Sequence, residues 1–229
     1  MDGKDWHDDV APPKRSAALT SLRRRQVGAL ALSRLRAPLF AFDMDAEWGI
    51  DLAVLESLFQ AAVSAPGEDS DRRYCQALDE LHGAPLFTSE VDCPNVRELV
   101  QLETIAGLLT FGEALTEPGT DKTDRIVDLP RGLADHLDQH VENSFHSHPS
   151  EETHHQYLAT LAEPVRSAGL GYLGSRNRVI ENTCDDALQA LLPSGGLRDT
   201  AVGRDLIARC EDFGTELAAM VRWIDTTGY

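Results

Sequence analysis

A chain of 229 residues with 38 acidic and 21 basic side chains, net charge −17, is long enough to bury a sizeable core without a disulfide or metal staple. Its four cysteines (Cys75, Cys93, Cys184, Cys210) form no Cys-x-x-Cys pair and no charged-then-apolar leader opens the chain, so a cytoplasmic protein with free thiols is expected. No apolar run approaches the roughly 20 residues that span a bilayer, which excludes a membrane-spanning helix. Residues 1–40 carry a net +4, leaving −21 on the remainder, and a body that acidic repels nucleic acid and anionic lipid and attracts a basic protein or a cation.

Residues 1–13, "MDGKDWHDDVAPP", read as a mobile acidic arm, and residues 14–229 as one helical domain whose subdivision, if there is one, falls near 117–130. Ser16 to Arg36 predicts an amphipathic helix with a basic face at Arg23, Arg24 and Arg25, ended by Pro38. Asp51 to Ser64 and Asp71 to Leu81 predict two more helices, the first capped by Asp51. Pro94 to Leu115 is apolar nearly all round, the pattern of a buried central helix. Further helices are expected over Arg131 to Ser144, Ser150 to Ala168, Ile180 to Leu192 and Thr200 to Asp225. Only "PLFAF" and "RNRVIE" have the pattern of strands, and two isolated strands do not make a sheet. The expectation is an all-α, single-domain bundle of seven to nine helices. Its oligomeric state stays open, because an all-round apolar helix fits a monomer core as well as a dimer seam.

Three stretches carry the outline of a chemical motif. "LFAFDMDAEW" (39–48) resembles the Asp-x-Asp of the haloacid dehalogenase superfamily, which implies a nucleophile at Asp43 and a general acid at Asp45. Against this, Ala46-Glu47 replaces the usual Gly-Thr, and a helix precedes the motif where a strand is required. "GLGYLG" (169–174) satisfies G-x-G-x-x-G, but a dinucleotide fingerprint follows a strand and opens a helix, whereas here a helix precedes; a glycine C-cap at Gly169 and a turn are expected. His136 and His140, with His82, resemble the three-histidine site of DinB-like bundles, although Leu133, Leu137, Val141 and Phe145 set the apolar face and leave both histidines beside it.

The densest cluster is "SFHSHPSEETHHQY" (144–157), with four of the eight histidines. His148, Glu152 and His155 lie within about 60° of one another on a helical projection, a first arrangement for iron or zinc. The inward phase set by Leu158, Leu161, Ala162 and Val165 selects Glu151 and His154 instead, the half-site spacing of di-iron bundles, with Glu103 and Glu113 of the apolar helix as further carboxylates. Glu98, on the same helix, is a third. Without a metal, Ser150 is a helix cap and Glu151 and Glu152 favour the positive end of the dipole.

An opening helix with Arg24 and Arg25, a break at "APLFAF", Trp48-Gly49 before "DLAVLESLF", and an apolar helix after "APLFTSEVDCP" make residues 19–116 similar to the YjaG-like family of helical bacterial proteins. The resemblance implies an all-helical cytoplasmic protein without assigned chemistry, of a kind sometimes found as an immunity partner of a toxin. The leading expectation is therefore a non-enzymatic, acidic interaction protein that neutralises a basic partner, with no cofactor, no nucleic acid and no membrane. The alternative is an iron- or zinc-dependent helical-bundle enzyme, an oxygenase or hydrolase, built on the 146–155 cluster.

Overall fold

Gly28 to Leu35 are buried without interruption over about two turns, and a helix buried on every side belongs at the centre of a bundle. The computed structural model describes residues 15–88, 95–147, 171–191 and 195–227, of which 15, 144–147 and 226–227 are described for the backbone alone. Within these residues there are seven α-helices and no strand: α1 (Ser21–Phe40), α2 (Leu52–Ala62), α3 (Glu68–His82), α4 (Val96–Thr116), α5 (Thr120–Ser147), α6 (Tyr172–Ala190) and α7 (Ala201–Thr227). The all-α bundle is what the periodicity predicts. None of the described helices is long and apolar enough to cross a membrane.

Helix α1 is the hub. Capped by Thr20, whose Oγ1 accepts from the Arg23 N–H, it packs against α2, α4, α5, α6 and, most extensively, α7. The amphipathic helix expected here is thus corrected: residues 28–35 are buried without interruption, and the central role assigned to α4 is shared with α1. Pro38 does not end the helix but sits in its last turn. Lacking an N–H, it leaves the Arg34 carbonyl without its intrahelical donor. Against that carbonyl comes Gly214 of α7, where a Cβ would lie 2.6 Å from the oxygen, so the closest approach of the two helices requires glycine.

Around this axis, α7 contributes Phe213, Leu217 and Val221, α4 contributes Leu108 and Phe111, and α5 contributes Ile126, Ala134 and Leu137, all essentially removed from water. Each fully buried Leu or Phe of this kind contributes about 1.5–3 kcal/mol. Helices α2 and α3 form a hairpin on the flank, held to α4 by the Tyr74 hydroxyl, which donates to the Leu108 carbonyl at 2.7 Å. Two segments read as strand candidates are helical: Pro38 to Phe40 closes α1, and 176–181 lies inside α6. Helix α6 opens at Tyr172, eight residues before the sequence-based start, and α5 opens at Thr120 and runs through Pro130, so 120–130 is part of that helix.

Candidate functional site

The basic face of α1 turns inward. Arg25, nearly buried, binds Asp71 and donates to Ser70 Oγ at 3.1 Å, fastening α3. Arg23 donates to Gln26 Oε1 and to the Leu191 carbonyl, both at 2.7 Å, closing the C-terminal end of α6, and Gln26 reaches the Gly195 carbonyl at 3.0 Å. Arg23 and Arg25 therefore tie the bundle together, and at these two positions the basic face expected on α1 is committed within the chain.

Two to three turns further along α1 lies a buried polar centre. Arg34 Nη1 donates to Asn177 Oδ1 at 2.5 Å and to Glu181 Oε1 at 2.8 Å, and Asn177 Nδ2 donates to the same carboxylate oxygen at 3.0 Å. From α5, Arg131 forks onto Glu181 through Nε at 3.0 Å and Nη2 at 2.8 Å, while its Nη1 holds Asp128 at 2.9 Å. Glu181 is 6% exposed and Arg34 3%. Burial pushes the Glu181 carboxyl up, but the Arg34 and Arg131 guanidiniums outweigh it and hold the group below the usual carboxylate range. An ionised carboxylate saturated by three donors has no proton to give at neutral pH and no lone pair directed at a substrate. Its role is to join α1, α5 and α6.

The glycine-rich stretch has a related role. Gly171, at the N-cap of α6, offers no side chain; Asp138 of α5 takes its place, accepting the Leu173 N–H at 3.1 Å and the Gly174 N–H at 2.9 Å. A Cβ on Gly171 would lie 2.1 Å from the Asp138 carboxylate, so glycine is required for the approach. The amides that a dinucleotide phosphate would occupy are filled by the protein's own carboxylate. The turn expected after Gly169 is replaced from 172 onward by helix, and Gly169 itself lies outside the described residues.

The predicted metal ligands are not brought together by what the structure describes. Glu151, His154, His148, Glu152 and His155 lie outside the described residues. Glu103 and Glu113 are exposed on α4, which corrects their placement at a buried centre, and Glu98 accepts from the Asn95 N–H in a capping box at the start of that helix. His136 and His140 stand side by side on α5 with ring centroids 4.7 Å apart, whereas His82 ends α3 with its ring edge against Phe87. Among the described residues no three His, Cys, Asp or Glu side chains converge on a metal position. Asp43 and Asp45 follow a helix, and Asp45 Oδ1 caps the short turn at 46–48 by accepting from the Glu47 N–H at 2.8 Å.

The α1–α2 connection presents a different surface. Asp43, Asp45, Glu47 and Asp51 are all exposed within nine residues, and among the described residues none of them forms an ion pair. Trp48 is buried beneath them, and Leu52, 49% exposed, stands beside Asp51. Arg222 is the nearby cation, held over the Phe42 ring and donating to the Ala41 carbonyl. From Asp51 an open cleft of about 470 Å³ continues between α2 and α3, lined by Ser57, Gln60, Arg73, Gln76 and Glu80. Among the described residues no three of these carboxylates converge on one position, so the surface suits an extended array of cations. No family model, curated protein or solved structure matches the chain.

Proposed function

We propose that the protein is a non-enzymatic acidic interaction module that binds and neutralises a basic protein, such as a toxin domain, through the α1–α2 connection. The observation that carries this reading is the placement of Asp43, Asp45, Glu47 and Asp51 on one exposed connection, where among the described residues none of them forms an ion pair, while Arg25, Arg34 and Arg131 are engaged within the bundle. Electrostatic steering by such a rim speeds encounter, and the exposed Leu52 beside it supplies an apolar anchor. The polar cleft between α2 and α3 extends the footprint.

The test uses four substitutions that keep the local fold. Asp45 and Asp51 cap helical turns through side-chain oxygens, and asparagine caps as well as aspartate. The variant Asp43→Asn, Asp45→Asn, Glu47→Gln, Asp51→Asn therefore removes four charges and preserves the caps. Against a panel of purified, folded basic proteins that includes toxin domains, a specific partner binds the unaltered protein well above the panel background and the variant roughly tenfold more weakly. Equal and weak binding to every member of the panel refutes the proposal.

A further inference from the structure

Helices α6 and α7 meet at two thiols. Cys184 Sγ and Cys210 Sγ are 3.9 Å apart, both buried, and each sulfur is the other's hydrogen-bond partner. Closing a bond between them requires a shortening of somewhat less than 2 Å, to about 2.05 Å, within reach of side-chain rotation in a pair already in contact. Cys75, the other described cysteine, lies on α3. The two sulfurs are not equivalent. Cys184 lies one turn along α6 from Glu181 and retains slight exposure at 6%, whereas Cys210 has none.

From this geometry we infer that Cys184 and Cys210 form a redox-modification site, a dithiol that a peroxide closes to a disulfide joining α6 to α7. Cys184 is the attacking sulfur and Cys210 the resolving one. The Cys184 thiolate attacks one oxygen of hydrogen peroxide, the O–O bond breaks, and hydroxide leaves to become water, with a sulfenic acid on Cys184. The Cys210 sulfur then attacks that sulfur, its proton leaves, and the S–O bond breaks to release a second water. Two thiols and one peroxide give one disulfide and two waters, the sulfurs losing the two electrons that the peroxide gains.

The order follows from the surroundings. The contact with the Cys210 sulfur is the main influence holding the Cys184 thiol below its ordinary range; burial opposes it, Arg34 assists it, and Asp185 and Glu181 oppose it. The same contact, together with burial, pushes the Cys210 thiol up. The sulfur that more readily ionises is thus also the one with residual access, and its partner is in contact to trap the sulfenic acid before further oxidation. The site is independent of the acidic connection and of the function proposed for it.

The full-length protein, exposed while folded to hydrogen peroxide and then alkylated, digested and mapped without reductant, tests this. The expected product is a peptide pair joined through Cys184 and Cys210, lighter by two hydrogens and restored by dithiothreitol, in unaltered protein and in Cys75→Ser/Cys93→Ser alike. In Cys210→Ser a sulfenic-acid trap such as dimedone labels Cys184, and in Cys184→Ser it leaves Cys210 unlabelled. The inference is overturned if both thiols remain alkylatable after peroxide, if the folded protein gives mainly links to Cys75 or Cys93, or if Cys210 is labelled when Cys184 is absent. Mapping of the unaltered protein decides the first two outcomes even where a serine variant fails to fold.

Discussion

Replacing Glu181 by glutamine keeps its shape and removes its charge, so no cavity complicates the result. The substitution leaves the Arg34 guanidinium, 3% exposed, with Asn177 in place of a charged partner, and takes from Arg131 the carboxylate it grips on α6. Removing one partner of a buried ion pair costs about 3–5 kcal/mol, because the remaining charge stays desolvated without compensation. With an m-value of roughly 2–3 kcal/mol/M in urea, the unfolding midpoint falls by about 1–2.5 M. The assay is equilibrium unfolding followed by far-ultraviolet circular dichroism and by the fluorescence of the buried Trp48. The paired variant Arg34→Met/Glu181→Leu removes both charges and recovers at least about 1 kcal/mol relative to Glu181→Gln. A midpoint shift below roughly 0.3 M for Glu181→Gln, about 1 kcal/mol or less by the same m-value, refutes the account of this centre as the electrostatic joint between α1, α5 and α6.

Three further outcomes follow from the geometry. Gly171→Ala places a methyl group against the Asp138 carboxylate and displaces the α6 cap, lowering stability by about 1–2 kcal/mol, while Asp138→Asn, which keeps an acceptor but loses a second one, costs less; urea midpoints rank the two. Acidification removes two contributions in different windows. The folded Glu181 binds its proton less readily than the unfolded chain, so its contribution is complete above the unfolded carboxylate pKa and is lost as pH falls through the lower folded one; the folded His136 is depressed by burial and by His140, so stability also declines as pH falls below the ordinary imidazole value. Unfolding midpoints across a pH series in Glu181→Gln and His136→Gln backgrounds separate the two windows. Gly214→Ala forces α7 away from the Arg34 carbonyl and is expected to cost roughly 1–3 kcal/mol, read as a lowered thermal midpoint.

The bundle was legible because its apolar stripes are long and regular. Cys210, Phe213, Leu217, Val221 and Ile224 all lie on one face of α7 and are all buried. Less legible was α1, where three successive arginines suggested a solvated face; the partners of Arg23 and Arg25, Leu191, Asp71 and Ser70, come from distant segments that a local pattern cannot see. One signal of the buried polar centre and one of the α6 cap were nonetheless present. Arg34 sits inside the run Leu30 to Leu39, and Asp138 falls on the same stripe as Ala134, Leu137 and Val141, so both had to be buried and therefore paired. The helical start at Tyr172 was hidden because its cap is supplied by a residue 35 positions earlier, with a glycine where a polar cap is usual. The exposed positions of Glu103 and Glu113 show the limit of inferring burial from an apolar neighbourhood: on a helix with polar residues spaced ten apart, each can still find the narrow face left open to water.

The account rests on the α1–α2 connection acting as an electrostatic landing surface for a basic protein. Its most direct test is stopped-flow association with the basic protein that binds best in the panel, measured over a range of ionic strength for the unaltered protein and the four-charge variant. The account predicts an association rate that falls steeply with salt, a variant roughly tenfold slower at low salt with a shallower dependence, and dissociation rates that differ little. Equal association rates and equal salt dependence for the two proteins would contradict it.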